Sequence, residues 1–266
     1  MLTDMALYAQ KSLGQNFLKS KWVIDLMVEA GKIDSHDIIV EAGPGKGILT
    51  EGLLACTRQV IAIEKDPRLI LFNQLKFKNE IAAGALKLIE GDVMEFDPAS
   101  EELQAGGYKV IANIPYYLTG HFLRYFLSHQ TPPSRMVLLL QREVVDRIMA
   151  RDGKESMLSI AVKVFGTPKY IEKVPREMFS PKPRVDSAVL LIENITKDSF
   201  KHIDANHFFA VLRAGFAQKR KKLLNNLSAI APKESVTEIF KKLSLSENVR
   251  AEELPVSKWK QLAQVL

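Results

Sequence analysis

The sequence predicts an α/β protein, a mainly parallel, Rossmann-like sheet followed by a small all-helical domain. Three observations predict it. Short apolar, β-branched runs alternate with amphipathic stretches, the pattern of a parallel sheet covered on both faces. The first long run enters a glycine-rich turn, Gly43-Pro44-Gly45-Lys46-Gly47, and then a helical stretch. After about Ile195 the strand-like runs stop and only helical periodicity remains.

In chain order, Asp37–Val40, Val60–Ile63, Leu86–Ile89, Lys109–Ile111 and Met136–Leu140 read as buried strands. The spans Gly47–Cys56, Arg68–Lys78, His121–Ser128 and Arg142–Ala150 between and after them read as helices. Two further strands are expected at about 159–165 and 185–192, closing the sheet with an antiparallel edge. A Pro-rich loop, Val174 to Arg184, separates them. Beyond it, His207–Phe216, Lys219–Leu227, Val236–Lys242 and Pro255–Leu266 read as helices. The change of pattern sets a boundary near 195–203 and domains of residues 1–196 and 197–266.

Charge follows the same division. The chain of 266 residues has a net charge of +6, and the segment from Phe200 onward, with 12 Lys/Arg against 6 Asp/Glu, carries all of it. A basic appendage on a neutral body points to a polyanionic partner, although a charge run on a helical segment also serves simply as a solvated face. The single cysteine, Cys56, excludes a disulfide framework within the chain, and the five scattered histidines lack the spacing of a metal site. No metal is expected. The N-terminal stretch to Phe17 holds no long apolar run, so neither a leader nor a membrane anchor is expected there, and a cytoplasmic location follows as the default.

The chemistry concentrates at the ends of the expected strands. Ile38-Ile-Val-Glu41-Ala-Gly43-Pro-Gly45-Lys-Gly47 joins a strand to a helix through glycines that let the backbone approach a ligand closely. The Gly-x-Gly-x-Gly spacing, with an acid two residues before the first glycine, suits an adenosyl ligand without a pyrophosphate; a tight turn and a dinucleotide fingerprint are the alternatives. Glu64 closes the second strand about twenty residues on, where a carboxylate accepts both hydroxyls of a ribose. Asp92 closes the third, placed to accept a hydrogen bond from an adenine amine.

The fourth strand ends in Asn113-Ile114-Pro115-Tyr116. Pro115 disfavours helix at Ile114 and holds the turn extended. The Asn113 amide oxygen and the Ile114 carbonyl then offer two fixed acceptors for the two hydrogens of an adenine amine, and Tyr116 offers a ring for the base to stack on. Taken alone, Asn-x-Pro-Tyr is a turn; its place after the fourth strand gives it the chemical reading.

With these residues in place, the chain resembles the ribosomal RNA adenine dimethyltransferase family, nearly from end to end. Gly14-Gln15-Asn16-Phe17-Leu18 is similar to the family's opening motif, and Phe179-Ser-Pro-Lys182-Pro-Arg184 to its target loop. Arg213-Ala-Gly-Phe216-Ala-Gln-Lys219-Arg220-Lys221-Lys222 and Arg250-Ala-Glu-Glu-Leu254 are similar to its C-terminal helical domain. The run Lys154-Glu-Ser-Met-Leu-Ser159 departs from the family, which carries a Tyr and a Gly there.

The resemblance implies a seven-stranded class I methyltransferase sheet and S-adenosylmethionine as cofactor, held by Gln15, Asn16, Leu18, Gly43, Gly45, Glu64, Asp92 and Asn113. It implies dimethylation of two adjacent adenines of small-subunit (16S) ribosomal RNA at a site formed by Asn113, Ile114, Pro115, Tyr116 and Phe179, with Phe179 stacking on the flipped base opposite Tyr116. Such a base must be single-stranded or extruded, because pairing hides its amine. Lys182, Arg184, Arg213, Lys219, Arg220, Lys221 and Lys222 are expected to meet RNA, in an immature 30S particle, with the protein acting as a monomer.

Three other functions fit parts of the sequence. A large-subunit ribosomal RNA methyltransferase of the macrolide-resistance type shares the glycine loop and Asn-Ile-Pro-Tyr, but the tail around Phe216–Lys222 favours the small subunit. A catalytically idle RNA-binding assembly factor is disfavoured by the intact Asn113, Pro115 and Tyr116. A nicotinamide-dependent oxidoreductase leaves those residues unexplained.

Overall fold

The computed structural model describes residues 8–10 and 13–266, so part of the N-terminal run read for a leader lies outside the described residues. Along the chain, β1 (Phe17–Leu18) precedes α1 (Lys21–Gly31), β2 (Ile38–Ala42) precedes α2 (Ile48–Leu54), and β3 (Val60–Glu64) precedes α3 (Pro67–Lys76) and α4 (Lys78–Ala82). Then come β4 (Leu86–Glu90), β5 (Tyr108–Asn113), α5 (Thr119–Ser128), β6 (Arg135–Gln141), α6 (Arg142–Met149) and α7 (Met157–Lys163). β7 (Thr167–Val174), β8 (Phe179–Ser180) and β9 (Ser187–Glu193) end the strand-bearing part, and α8 (Ala205–Gly215), α9 (Leu223–Leu227), α10 (Lys233–Lys242) and α11 (Val256–Val265) follow.

Seven strands form one sheet in the order β4-β3-β2-β5-β6-β9-β7, while β1 and β8 pair as a separate two-stranded ribbon. The five strands from β4 to β6 run parallel, and β9 lies antiparallel to β6, Met136 opposite Ile192 and Gln141 opposite Ser187. The inner parallel strands β3, β2, β5 and β6 are buried on both faces, which is why their sequences are largely apolar rather than alternating, while the edge strand β4 exposes Lys87 and Glu90. Met136 to Leu140 are fully buried. Val23, Ile24 and Met27 of α1 belong to the same core as Ile39, Ile111 and Val137 of the sheet. The chain goes outward from β2 to β3 and β4, then returns to β5 on the other side of β2. That reversal opens a crevice at the carboxyl ends of β2 and β5, the place where such sheets bind ligands.

The chain divides into two compact units. One comprises residues to Val145 with Lys169–Ile195 and holds the sheet; the other comprises Asp146–Pro168 with Thr196–Leu266. The division is therefore discontinuous, where the sequence suggested a single cut after residue 196. Within the second unit the core is aromatic. Phe165, Phe200, Phe208 and Phe209 cluster with ring centroids 5.1–6.2 Å apart, and Phe216 stacks on Trp259 at 5.3 Å.

Three elements differ from expectation. The run 159–165, read as a strand, is mostly helix α7, and the strand is β7, beginning at Thr167. The reason is a reciprocal cap. Ser156 Oγ accepts from the Ser159 backbone N–H at 3.0 Å, and Ser159 Oγ accepts from the Ser156 N–H at 2.6 Å. The helix expected to begin at Lys219 begins at Leu223, so Lys219–Lys222 lie in the connection after α8. Helix α1 was not anticipated from the pattern. No helix among the described residues is long and apolar enough to cross a membrane.

Candidate active site

One cavity occupies the carboxyl ends of β2, β3 and β5, and it gathers residues from five separate stretches of sequence. Gln15, Asn16 and Leu18 line it from the N-terminal segment, Glu41, Gly43 and Gly45 from β2 and its turn, and Glu64 from β3. Asp92 follows β4, and Asn113 to Tyr116 follow β5. Chain topology thus brings together all the expected cofactor residues and four of the five expected target residues.

The glycine turn has the conformation its sequence suggested. Gly43 and Gly45 have φ of +67° and +59°, the left-handed region that a side chain rarely adopts. A Cβ on Gly43 would meet nothing within 4 Å, so its backbone faces open space, as an approaching ligand requires. The turn is pinned from both sides. The Gly45 N–H donates to Glu64 Oε2 at 3.1 Å, and the Asn73 side-chain amide donates to the Gly45 carbonyl at 2.8 Å.

Glu64 is itself fixed, since its Oε1 accepts from the Asp66 backbone N–H at 2.9 Å. Burial pushes its carboxyl above the usual range, while the N–H groups of Asp66, Gly45 and Lys65 pull it back. A carboxylate held at two backbone N–H groups presents its remaining lone pairs in a set direction, which suits a pair of ribose hydroxyls. Asp92 accepts from the Met94 N–H at 2.9 Å through one oxygen and pairs with Lys65 Nζ at 2.8 Å through the other. The Lys65 partner holds Asp92 below the usual carboxylate range. Deeper in, Glu41 is almost fully buried, takes a hydrogen bond from Thr50 Oγ1 at 2.7 Å, and is pushed up by burial to about 8.

At the end of β5, Ile114 is buried and Pro115 has φ of −54°, holding the turn that follows. The Asn113 side-chain amide donates to the Asn16 carbonyl at 3.2 Å. Tyr116 is half-buried, its hydroxyl 2.9 Å from Ser187 Oγ, and burial raises its pKa. These residues fit an adenosyl cofactor: a glycine turn open on one side and two oriented carboxylates.

Phe179 departs from the expected place. It does not line the cavity; it is 2% exposed, lies opposite Leu18 in the β1–β8 ribbon, and belongs to the hydrophobic core. Its short strand turns the ring inward. Lys182 and Arg184 are exposed in the following loop, and Lys182 pairs with Glu177 at 2.5 Å.

In the second unit, Arg213 and Lys219–Lys222 are all exposed. Lys219 lies 3.8 Å from the buried Glu252. The connection bearing the four cations is held by Asn226, whose side-chain amide donates to the Gly215 carbonyl at 2.6 Å and the Gln218 carbonyl at 3.1 Å.

Several residues of the site were not singled out from sequence. Lys65, which partners Asp92, and Asp66, which takes Arg68 and Gln15, lie within four residues of Glu64. Asn73 had one available signal: an amide on the apolar face of a helix, between Ile70 and Phe77. Asn226 had a similar one, lying among Leu223, Leu224 and Leu227.

The family model described as "Ribosomal RNA adenine dimethylase" matches residues 6–266. The chain is 35% identical to the "Ribosomal RNA small subunit methyltransferase A" of Dehalococcoides mccartyi, over 100% of this chain and 91% of that protein. It is 35% identical to the protein of the same name from Fusobacterium nucleatum, over 96% and 97%. The crystal structure of a dimethyladenosine transferase from Plasmodium falciparum superposes with a TM-score of 0.79 at 26% identity, covering 92% of this chain and 95% of that one. That of the 23S rRNA methyltransferase ErmE gives 0.74 at 20% identity, covering 94% and 99%, a likeness of fold alone.

Proposed function

The chain belongs to the ribosomal RNA adenine dimethylase family, and from that premise we propose how its residues dimethylate adenine in small-subunit ribosomal RNA. It is a methyltransferase whose methyl donor is S-adenosylmethionine. The observation that carries the reading is the convergence of Glu64, Asp92 and Asn113–Tyr116 on one cavity at the carboxyl edge of the sheet.

When bound, the cofactor supplies an electrophilic methyl group. Glu64 accepts hydrogen bonds from its ribose, Asp92 from its adenine amine, and Gly43 and Gly45 give it close backbone approach. Gln15, Asn16 and Leu18 cover it from the N-terminal segment. The target adenine enters from the side of Tyr116, whose ring takes one face of the base. Asn113 Oδ1 and the Ile114 carbonyl accept the two amine hydrogens and hold the nitrogen in one orientation. No general base is required, because alkylation makes the remaining N–H acidic enough to lose its proton to water. The chain's contribution is positioning and exclusion of water.

Lys182, Arg184, Arg213 and Lys219–Lys222 take phosphates of the RNA. The substrate particle is an immature 30S subunit, in which the target is presented unpaired. The protein works as a monomer in the cytoplasm, with residues 1–196 carrying catalysis and residues 197–266 docking on RNA.

The test is methyl transfer from radiolabelled S-adenosylmethionine to purified, unmethylated small and large ribosomal subunits, with the modified nucleosides identified by mass. Dimethyladenosine in small-subunit RNA alone is expected. Label in large-subunit RNA alone would replace the proposed substrate.

A further inference from the structure

With Phe179 buried, the aromatic residues that line the cavity are Phe17, Tyr116 and Tyr117. Tyr116 is half-buried and tethered through its hydroxyl to Ser187, while Tyr117 stands 63% exposed and lines the same cavity. An exposed tyrosine ring at the rim of a binding cavity presents a π-face on which a nucleobase can stack.

The ring is positioned rather than loose. Tyr116–Leu118 form a single 3₁₀ turn closed by the Leu118 N–H on the Pro115 carbonyl at 3.0 Å, and Thr119 Oγ1 donates to the Tyr116 carbonyl at 3.1 Å. On one side the ring is backed by Gly14. A Cβ built there would come within 3.1 Å of Tyr117 Cε1, and Gly14 has φ of +63°. The residue as a whole is 63% exposed. Lys65, with its ammonium on Asp92, lines the same cavity.

We propose that Tyr117 is a second stacking platform, taking the nucleobase adjacent to the target adenine while Tyr116 takes the target itself. The proposal rests on the reading of the cavity as an adenine-methylating site. A base extruded from a stack leaves a neighbour that has lost its partner. An exposed, preset aromatic ring one residue beyond the target wall restores that stacking for any base, because every base has a π-face. Adjacent tyrosines in a tight turn cannot both face one base, so the two rings serve successive nucleotides.

The experiment uses single-stranded oligoribonucleotides with one adenine flanked by 2-aminopurine on the 5′ side in one and the 3′ side in the other. It is paired with methyl-transfer kinetics on unmethylated small subunits. Wild type is expected to quench one of the two probes on binding, Tyr117→Phe to quench it equally, and Tyr117→Ala to leave it bright. In the kinetics, Tyr117→Ala is expected to raise KM for the subunit about 10-fold with kcat within about 2-fold. Affinity for S-adenosylhomocysteine should stay unchanged, which separates lost stacking from collapse of the Gly14 segment. Quenching of that probe that survives Tyr117→Ala, quenching of neither probe by wild type, or an unchanged KM would overturn the proposal. Failure of wild type to methylate either subunit would instead remove the reading on which it rests.

Discussion

Asn113 donates its side-chain amide to the backbone carbonyl of Asn16 at 3.2 Å, across 97 residues of sequence. The hydrogen bond fixes which end of the carboxamide faces which way. With the nitrogen committed to Asn16, Oδ1 is the end presented as an acceptor, the polarity that an adenine amine needs. It also ties the N-terminal segment to Asn113, the residue proposed to hold the target. Asn113→Ala removes the acceptor and the tie together. Its kcat is expected to fall about 100-fold or more, the cost of a misplaced reacting nitrogen. Cofactor affinity, measured by calorimetry with S-adenosylhomocysteine, should stay within a few-fold. Undiminished turnover would remove Asn113 from the reaction.

Glu64 offers the complementary measurement. Its carboxylate is held by the N–H groups of Gly45 and Asp66, so substitution disturbs the glycine turn as well as the proposed ribose contact. Glu64→Gln replaces charge-assisted hydrogen bonds, worth about 1.5–3 kcal/mol each, with neutral ones. The expected result is a cofactor Kd raised about 10- to 100-fold, with kcat at saturating cofactor little changed. An unaltered Kd would place the ribose elsewhere.

These two residues also show what a sequence reveals. Asn113 and Glu64 end continuous apolar strands, and a strand end in a parallel sheet has only one destination, its carboxyl edge. Their convergence was therefore legible before any coordinates. Lys65, Asn73 and Asn226 were not, because each acts by reaching a backbone carbonyl or a carboxylate distant in sequence, and such partners have no periodic signature. The run 159–165 reads as a strand because a short apolar run suits helix and strand equally, and the deciding feature is a pair of serines, Ser156 and Ser159. Phe179 on its own reads as a core or loop-packing residue, and only the family resemblance assigns it to the target base; two residues of strand pairing with Leu18 place it in the core.

Glu41 should make stability depend on pH. Its carboxyl, buried with Thr50, is raised from 4.5 to about 8. Below 4.5 it is protonated in both folded and unfolded chains. Between 4.5 and about 8 the folded protein keeps the proton that the unfolded chain releases, so the stabilising difference is lost as pH climbs through that window. The slope from this group alone is about 1.4 kcal/mol per pH unit. Urea unfolding of wild type at pH 5, 6, 7 and 8 should show it, and Glu41→Gln should flatten it. Parallel pH profiles for the two proteins would mean that Glu41 ionises freely in the folded state.

Gly215 has a packing role that can be tested apart from catalysis. It ends α8 under the ring of Trp259, and a Cβ there would lie 2.3 Å from Cη2 of that ring. That ring does not yield easily, since Trp259 is fully buried and stacked on Phe216. Gly215→Ala is expected to cost about 1–3 kcal/mol by overpacking, read as a lower urea midpoint. The Gly215 carbonyl also anchors Asn226, so the shift should loosen the basic connection. A midpoint equal to wild type would show that the helix moves aside at no cost.

The last prediction concerns that connection itself. Lys219, Arg220, Lys221 and Lys222 are exposed between α8 and α9, held by Asn226 rather than by a helix of their own. A preset cationic loop on a scaffold binds phosphates without ordering cost, and each phosphate neutralised releases a counterion. Replacing all four with Gln should weaken binding to small-subunit RNA. On a single strand, the slope of log K against log salt should become shallower by about 0.7 for each phosphate no longer neutralised. Lys219 has an acidic neighbour, Glu252, so it should contribute less than the other three. Single substitutions across a salt series would show this as a smaller change for Lys219→Gln than for Lys221→Gln. A slope unmoved by the fourfold variant would place the RNA on another face, while equal changes for all four would mean that Glu252 does not compete for Lys219.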